Sequence, residues 1–441
     1  MAASLNMPNS SETSEAASRV LAFEAALDEV MRHAREVRDA HGPGATETAE
    51  LLDAADRVLA GPILADRDQP PFDRATRDGF AVRASEFSSR RLLRIAGQIR
   101  AGDLWTGSPL SADEAIEIMT GAPVPAGADA VAMVEHVEFG NVNAPVAGKV
   151  RAVGGRVLRV GENIVPRGSE ARSGETVVPV GSTIGAAEIA LAATSGRVAL
   201  EVYVRPSVAI VATGDELVEL DQSPDARQIR NSNGYALAAL VTVAGGAPTR
   251  LPIARDRRDE LHERLAEART HDLILLSGGV SMGKFDLVEE VLAELGAEFF
   301  FTGVKMQPGK PLVFGRLPER TDANGVVLPG RYFFGLPGNP VSTQVTFHCF
   351  VEPFLRVMAG EDTVGPRFVQ ATLAEDVGGK AGLTRVLPAR LTSSLQGSSV
   401  RLVSWQGSGD LAANSRANCY AVLPPECSEF RAGAVITVLL R

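Results

Sequence analysis

The stretch Leu273-Ile-Leu-Leu-Ser-Gly-Gly-Val-Ser-Met-Gly-Lys-Phe-Asp286 joins a run of apolar residues to a glycine-rich loop. A short apolar run bounded by turn residues is typical of a buried strand. Residues 287–295 then repeat apolar residues at helical spacing and stop at Gly296, as an amphipathic helix does. A strand, a loop and a helix in this order predict a βαβ unit and a parallel sheet.

Strands and helices alternate on both sides of this stretch, which predicts an α/β domain with a mainly parallel sheet over residues 205–360. The predicted strands are 208–211, 250–253, 273–276 and 332–334, and the predicted helices are 233–243, 258–269, 287–295 and 341–355. Four loops rich in Gly and Pro follow predicted strand ends, at 212–217, 277–286, 306–311 and 335–340. Since ligands bind at the carboxyl ends of parallel strands, we expect these loops to form one crevice.

The flanking segments predict three further domains and a tail. Residues 1–19 have the composition of a disordered tail. A helix at 20–40, a second short helix at 51–65 and the mixed segment 163–204 predict one discontinuous helical domain, 20–65 with 163–204. Short apolar runs at 115–119, 130–134 and 157–160 predict an inserted β domain over 66–162, and residues 361–441 a C-terminal β domain.

Composition narrows the function classes. The 441 residues are 45% hydrophobic and 22% charged, as in globular proteins. A net charge of −10 and the lack of a long basic run argue against nucleic acid as a partner. Three cysteines without metal-ligand spacing fit a reducing cytoplasm. No apolar stretch is long enough to span a bilayer and no secretory signal is present, so we expect a cytoplasmic protein without a membrane partner.

The loops carry residues suited to a phosphate ester with a divalent metal. Glycines let backbone N–H groups approach an anion, and Asp215, Glu216, Asp256 and Asp286 offer the hard oxygen ligands that Mg²⁺ prefers. Lys310, between two prolines, is a stiffly held cation for an oxyanion. Asn339 has the amide groups to hydrogen-bond a heterocycle.

Structural explanations compete with each of these interpretations. Asp286 is also a suitable N-cap, Lys310 suits a solvated turn, and Asp78-Gly79 suits a hairpin. Residues 278–284 have P-loop spacing, but Phe285 stands where a Ser or Thr should hold Mg²⁺. Residues 279–283 match a nucleophile elbow, yet the sole downstream histidine, His348, falls in a predicted helix, which disfavours a hydrolase.

In their order, these segments resemble the molybdopterin molybdenumtransferase family, related to the gephyrin E domain. The resemblance runs from about Leu21 to the C-terminus. The motifs that carry it are Asp78-Gly-Phe-Ala81, Met119-Thr-Gly-Ala-Pro-Val-Pro125, Ala212-Thr-Gly-Asp-Glu-Leu217, Ser277-Gly-Gly-Val-Ser281, Pro308-Gly-Lys-Pro311 and Gly335-Leu-Pro-Gly-Asn-Pro340. It implies a discontinuous helical domain, an inserted β domain, a three-layer α/β domain and a C-terminal β-barrel-like domain.

The resemblance also implies an activity and its residues. Molybdenum from molybdate is inserted into adenylylated molybdopterin, with Mg²⁺-dependent cleavage of the pyrophosphate link and release of AMP. The implied catalytic residues are Asp78, Thr120, Glu216, Asp256, Asp286 and Lys310, and the implied metal ligands are Glu216, Asp256 and Asp286. The implied substrate-binding residues are Thr213, Gly214, Asp215, Ser277, Gly278, Gly279, Ser281, Pro308, Gly309, Lys310, Pro337, Gly338, Asn339 and Pro340, with Arg390 and Ser408 for molybdate.

The family pattern further implies partners. Its members work as homodimers, with each active site between the α/β domain of one subunit and the inserted domain of the other. Molybdopterin adenylyltransferase and apo-molybdoenzymes are the implied protein partners. This chain has Gln307 where the family often has Lys, and Arg74-Ala-Thr-Arg77 where it often has Asn-Ser-Ala-Met. Rival hypotheses are a non-catalytic scaffold and an adenylyltransferase or nucleotide pyrophosphatase on the same α/β module.

Overall fold

The computed structural model describes residues 19–41, 44–88, 90–139, 148–279, 287–321, 325, 327–362 and 365–441. Contacts divide the chain into two compact units. Unit 1 takes the described residues of Met1–Glu47, Asp56–Ala60 and Val202–Arg441, and unit 2 those of Thr48–Ala55 and Gly61–Glu201. The predicted tail lies outside the described residues except for Arg19. The boundaries of the four predicted domains stay a prediction.

The helices form where the sequence has amphipathic periodicity. In the described residues the α-helices are Phe23–His41 (α1), Ala186–Thr194 (α2), Ser232–Val243 (α3), Arg258–Ala268 (α4), Leu287–Glu294 (α5), Pro340–Thr346 (α6), Glu352–Met358 (α7) and Leu411–Arg416 (α8). A π-helical turn, Phe347–Val351, joins α6 to α7, and short 3₁₀ helices occupy Ala84–Glu86 and Val134–His136. Within this part of the chain, every helix is too short or too polar to span a lipid bilayer.

Unit 1 contains a six-stranded sheet that organises the four loops. Its strands are Ser207–Ala212 (β1), Ala247–Arg250 (β2), Leu273–Ser277 (β3), Glu298–Phe301 (β4), Val313–Leu317 (β5) and Arg331–Leu336 (β6). They lie side by side in the order β2-β1-β3-β6-β5-β4. The ladders β2–β1, β1–β3 and β3–β6 are parallel, while β5 runs antiparallel to both β6 and β4. Five strands therefore point one way and only β5 is reversed.

Alternate residues of these strands face two separate cores. Val208 and Ile210 of β1 pack with α1, α3, α6 and α7. Ala209 and Val211 pack on the opposite face with α4 and α5. Because both faces are covered, the strands read as continuous apolar runs rather than as alternating patterns. The sheet thus lies between two helical layers.

Helix α1 packs on the α/β sheet, and its predicted grouping with residues 163–204 stays a prediction. Its buried residues Phe23, Ala26 and Val30 belong to the same core as Phe314 and Phe354 of the α/β domain. Its His33 ring stacks on Phe300 with centroids 3.7 Å apart. The apolar stripe of α1 was evident from sequence, but the surface that it covers was not.

Unit 2 is built mainly from short strands. Its six-stranded sheet has the order Ala130–Met133, Gly79–Val82, Glu114–Ile118, Leu93–Ile99, Lys149–Ala152, Val137–Phe139. Two small antiparallel pairs accompany it, Arg74–Ala75 with Ile164–Val165 and Ile63–Leu64 with Thr176–Val178. The sheet buries two apolar clusters, one on each face. The prediction of several short strands between 70 and 162 is confirmed.

The C-terminal region of unit 1 closes a five-stranded barrel. The strands Thr384–Ser394, Gly397–Leu402, Phe368–Leu373, Val435–Leu440 and Cys419–Leu423 pair in that order, and the last pairs again with the first. Closure leaves no free edge in this ring. Met306–Gln307 adds to it alongside Thr384 and Arg385. The remaining short strands of the described chain are Val20–Leu21, Thr46–Glu50, Ala199–Tyr203, Leu217–Val218, Ile229–Arg230, Gly303–Val304, Arg320–Thr321, Val327–Leu328, Val377–Gly378 and Glu429–Phe430.

Three local predictions were wrong. Residues 51–65 form turns and the strand Ile63–Leu64, not a helix, because Ile63–Leu64 pairs with Thr176–Val178. Residues 157–160 form no strand, and Val157 and Val160 are about three-quarters exposed (74% and 75%). The strand predicted at 250–253 lies at Ala247–Arg250, since Pro252 has no N–H to extend the ladder.

Candidate functional site

Three of the four loops leave neighbouring parallel strands at the same edge of the sheet. Thr213 follows β1, Gly278 follows β3 and Pro337 follows β6. The Thr213 N–H donates to the Ser277 carbonyl at 3.0 Å, and the Gly278 N–H donates to the Leu336 carbonyl at 3.3 Å. The described first residues of these loops therefore adjoin one another along this edge, as predicted from the positions of their glycines.

The third loop reaches this edge by a different route. Residues 306–311 precede β5, the reversed strand, so the amino end of β5 lies beside the carboxyl end of β6, with Val313 paired to Gly335. The prediction that this loop follows a strand end of the sheet was wrong. Its own strand, Met306–Gln307, belongs to the C-terminal sheet. Because β5 is reversed, the 306–311 loop lies at this edge by leading into a strand of the sheet, whereas the other three loops lie there by following one.

Packing explains two of the glycines without any ligand. Gly278 and Gly279 have φ of +92° and +65°. A Cβ on Gly278 would lie 2.5 Å from the Thr213 carbonyl oxygen, and one on Gly279 would lie 2.6 Å from Thr213 Oγ1. Thr213 is 2% exposed, and its hydroxyl has no hydrogen-bond partner among the described residues. The glycines therefore bring the second loop into contact with the first.

A side chain absent from the sequence predictions connects two loops. Asn233, in the first turn of α3, donates from Nδ2 to Ser277 Oγ at 3.0 Å and to the Gly338 carbonyl at 2.8 Å. The helix start is fixed by Asn231, whose Oδ1 accepts from the Gly234 N–H at 2.9 Å. Asn-Ser-Asn at the start of an apolar helix signals only a cap, so nothing local identified Asn233.

The predicted acidic residues of the first loop gather beside residue 256. Thr213 pairs with Ala254 in a parallel bridge, and the Asp256 N–H donates to Asp215 Oδ1 at 3.3 Å. Burial, and then the charges of Asp215 and Glu216, raise the pKa of Asp256. Carboxylates that repel one another suit a bound cation.

A complete metal centre is not present among the described residues. No three Asp, Glu, His or Cys side chains lie close enough there to hold a metal ion by themselves. Asp286, the third predicted ligand, and Ser281 lie outside the described residues. Mg²⁺ needs only one or two carboxylates when phosphate oxygens and water complete its shell, so Glu216 and Asp256 fit such a site.

The predicted oxyanion residues lie on three segments of unit 1. Lys310 is exposed, while Pro308 and Gly309 beside it are buried, with Gly309 at φ +105°. Ser408 accepts from the Val341 N–H at 2.9 Å through its carbonyl, which puts it at the start of α6. Arg390 is exposed and donates to the Arg416 carbonyl at 3.4 Å. Ser408 thus adjoins the fourth loop, whereas the described residues show no hydrogen bond between the Arg390 side chain and any of the four loops.

The fourth loop is held from inside its own helix. Thr343 Oγ1 donates its single proton to the Pro337 carbonyl at 2.6 Å, and the Asn339 carbonyl oxygen also lies within hydrogen-bond distance of it, at 3.0 Å. Asn339 precedes α6 but its side chain makes no capping bond, and Pro340 is the first helical residue. Gly338 and Asn339 are exposed. The loop is therefore fixed while its polar groups remain accessible.

Two predicted residues of unit 2 form a direct pair. The Thr120 N–H and hydroxyl both donate to Asp78 Oδ1, each at 2.7 Å. These bonds, the backbone one first, lower the pKa of Asp78. Asp78 precedes the strand Gly79–Val82 and Thr120 follows Glu114–Ile118, its neighbour in the sheet. Strand pairing thus unites motifs forty-two positions apart.

Models of three protein-family regions match the chain in order. They are the MoeA N-terminal region (domain I and II) at residues 21–196, a probable molybdopterin binding domain at 209–357 and the MoeA C-terminal region (domain IV) at 370–440. Together these matches include every predicted site residue. The three-region order is the one that the sequence motifs predicted.

Relatives along most of the chain carry one name. A molybdopterin molybdenumtransferase of Staphylococcus aureus (strain COL) is 32% identical over 402 residues, covering 89% of this chain and 90% of the relative. One from Nostoc sp. is 36% identical over 326 residues, covering 71% and 70%. The crystal structure of the molybdopterin biosynthesis moeA protein from Pyrococcus horikoshii OT3 superimposes with a TM-score of 0.75 at 25% identity, covering 96% of this chain and 100% of that one. The chain belongs to the molybdopterin molybdenumtransferase family, a family of transferases in molybdenum cofactor biosynthesis.

Proposed function

We propose that this chain inserts molybdenum from molybdate into adenylylated molybdopterin, with Mg²⁺-dependent cleavage of the pyrophosphate link and release of AMP. The observation that carries the proposal is the meeting of three glycine-rich loops at one sheet edge, with Asp215, Glu216 and Asp256 beside them. A pyrophosphate ester is bound through backbone N–H groups that donate to its phosphates and, next to them, carboxylates that hold its metal cation.

Each part of the crevice has a role in this proposal. Gly214, Gly278 and Gly279 are proposed to let the phosphates approach the backbone; the Gly279 N–H makes no hydrogen bond to another described residue, whereas those of Gly214 and Gly278 donate to the Ala254 and Leu336 carbonyls. Thr213, Asp215, Ser277 and Ser281 are the further binding residues in this proposal. Bound Mg²⁺ would neutralise charge on the phosphates as the link breaks. Glu216 and Asp256, with Asp286, would hold it, and gathering them before the reaction avoids reorganisation during it.

The remaining predicted residues bind the other parts of the substrates. Pro337, Gly338, Asn339 and Pro340 border the pterin, since their loop is fixed and its polar groups are accessible. Lys310, positioned by Pro308 and Gly309, supplies a cation for molybdate. Ser408 lies beside the fourth loop and is proposed to bind molybdate with Arg390. Gln307 is uncharged where the family often has Lys, and we expect this to lower the affinity for molybdate.

We further propose a cytoplasmic homodimer in which the Asp78–Thr120 pair takes part in the reaction. Molybdopterin adenylyltransferase would deliver the substrate and apo-molybdoenzymes would receive the cofactor. Light scattering of the purified chain tests the dimer, which a monomeric mass at micromolar concentration would contradict.

The activity is tested with purified protein, adenylylated molybdopterin, molybdate and Mg²⁺. We expect AMP, measured by chromatography, and reconstitution of an apo-molybdoenzyme. Asp286→Ala should abolish both. Asp259→Ala is the matched control, because Asp259 is an exposed acid paired with Arg257.

Other outcomes would favour the rival functions. Substrate binding without AMP release would indicate a scaffold. Equal AMP release from diadenosine pyrophosphate would indicate a nucleotide pyrophosphatase. AMP release that is equally fast in Asp286→Ala would refute the proposed site.

A further inference from the structure

Asn233 holds two loops of the crevice with a single amide group. Its Nδ2 donates both hydrogens, one to Ser277 Oγ at 3.0 Å and one to the Gly338 carbonyl at 2.8 Å. Ser277 ends β3, and Gly338 lies just beyond β6, the next strand in the sheet. The separation of the second and fourth loops at this point is therefore set by one side chain of α3.

The orientation of this amide is fixed by its partners. The Gly338 carbonyl can only accept, so the amide nitrogen must face it and Oδ1 must point elsewhere. No hydrogen bond to Asn233 Oδ1 comes from the described residues. The half-buried Asn233 side chain therefore has an amide oxygen that accepts from no other described residue, on an amide held between the second and fourth loops.

A fixed acceptor favours one kind of ligand group. Phosphate and molybdate oxygens only accept when ionised, so an amide oxygen gains nothing from them and repels their charge. A heterocycle with amino and ring N–H donors, such as a pterin, complements it. Leaving such a donor or acceptor unpaired in a binding site costs far more than a poor apolar contact.

We propose that Asn233 is a specificity-determining residue: its N–H groups hold the second and fourth loops together, and its Oδ1 accepts a hydrogen bond from the pterin ring system. This role rests on the proposed function. It assigns recognition of the heterocycle to α3, in addition to the loop residue Asn339.

The first test measures affinity by calorimetry with two probes, adenylylated molybdopterin and AMP, both with Mg²⁺. We expect Asn233→Ala to weaken binding of the pterin compound by about 10- to 100-fold, the loss of one or two hydrogen bonds. Binding of AMP should weaken less than binding of the pterin compound, because only the loosened second loop affects it, and the KM for molybdate should not change. Asn418→Ala is the matched control, because the Asn418 amide also makes two bonds, to Leu391 N and O in the barrel.

Two results of this test would overturn the proposal. One is unchanged affinity of Asn233→Ala for the pterin compound. The other is an equal loss for AMP, which would mean that Asn233 acts on the phosphate end. Asn233→Asp keeps an acceptor but sets an oxygen against the Gly338 carbonyl, and it should bind no better than Asn233→Ala.

The second test needs no substrate. Hydrogen exchange of the free protein should accelerate at residues 277–279 and 336–339 in Asn233→Ala, and not in Asn418→Ala. Unchanged exchange in both loops would refute the connection between them. This readout separates the inference from the proposed function, because absence of AMP release by the wild type would leave the exchange comparison valid.

Discussion

Substitution of Gly279 by alanine tests whether the second loop is glycine-rich for packing as well as for binding. Gly279 has φ +65°, a conformation that costs an L-residue about 1–2 kcal/mol. Its new Cβ would lie 2.5 Å from Val288 Cγ2 and 2.6 Å from Thr213 Oγ1. Val288 and Thr213 are 1% and 2% exposed, so neither can move into solvent. Overpacking of this kind adds about 1–3 kcal/mol, for a total of about 2–5 kcal/mol.

The matched control is Gly245→Ala in the same α/β domain. Gly245 has φ +86°, but the nearest atom to its added Cβ is Ala359 Cβ at 3.9 Å, an ordinary contact. This variant should lose only the backbone cost of about 1–2 kcal/mol. The difference between the two variants therefore isolates the collision with Val288 and Thr213.

Urea unfolding, followed by tryptophan fluorescence and circular dichroism, measures both variants. Because the chain has two units, the transition assigned to unit 1 is compared, and its slope should stay constant. We expect Gly279→Ala to unfold at lower urea than Gly245→Ala and to bind adenylylated molybdopterin more weakly. Equal destabilisation of the two variants would refute the packing argument. Normal stability with lost binding would show that Gly279 serves the ligand alone.

Three further predictions concern titration and burial. Thr120→Val removes a hydroxyl donor to Asp78, so the pKa of Asp78 should rise and the acid limb of the pH profile of AMP release should move to higher pH. Thr120→Ser, which keeps a hydroxyl, should restore the wild-type position of the limb. An acid limb that does not move in Thr120→Val would contradict the role of the pair. Burial alone raises the pKa of Glu352, but the His348 bond at 2.7 Å and the Arg367 and Arg356 charges lower it overall. A carboxyl group whose pKa is lower in the folded than in the unfolded state stabilises the fold at pH values above its unfolded pKa, and this contribution is lost as the pH falls through its folded pKa. Glu352→Gln should therefore lower the free energy of unfolding by about 3–5 kcal/mol at neutral pH. In urea unfolding measured at several pH values, the variant should also lose less stability than the wild type below about pH 4.3. Cys427 is exposed, whereas Cys349 and Cys419 are buried. Burial raises the pKa of the Cys349 thiol, and it raises the pKa of the Cys419 thiol to about 11. Mass spectrometry after alkylation should therefore find one modified cysteine in the native protein and three after denaturation.

Much of the α/β domain could be predicted because its signals are local. Buried strands such as Leu273–Ser277 are short apolar runs, and helices such as Leu287–Glu294 repeat at 3.6 residues and end at glycine. The glycine loops could be recognised as strand ends because their signal is local as well. Predictions failed where the decisive partner is distant: Ile63–Leu64 is a strand because Thr176–Val178 pairs with it.

The sequence by itself determined the loops, their order and the chemistry of their side chains, and through these the family. Only the tertiary structure decided which of those groups meet. Reversal of β5 brings the loop of Lys310 to the edge reached by the other three, and strand pairing sets Thr120 against Asp78. Asn233 joins Ser277 and Gly338 across forty-four and one hundred and five positions. Periodicity and turn chemistry act between near neighbours in the chain, whereas a hydrogen bond between loops depends on the packing of every element that carries them.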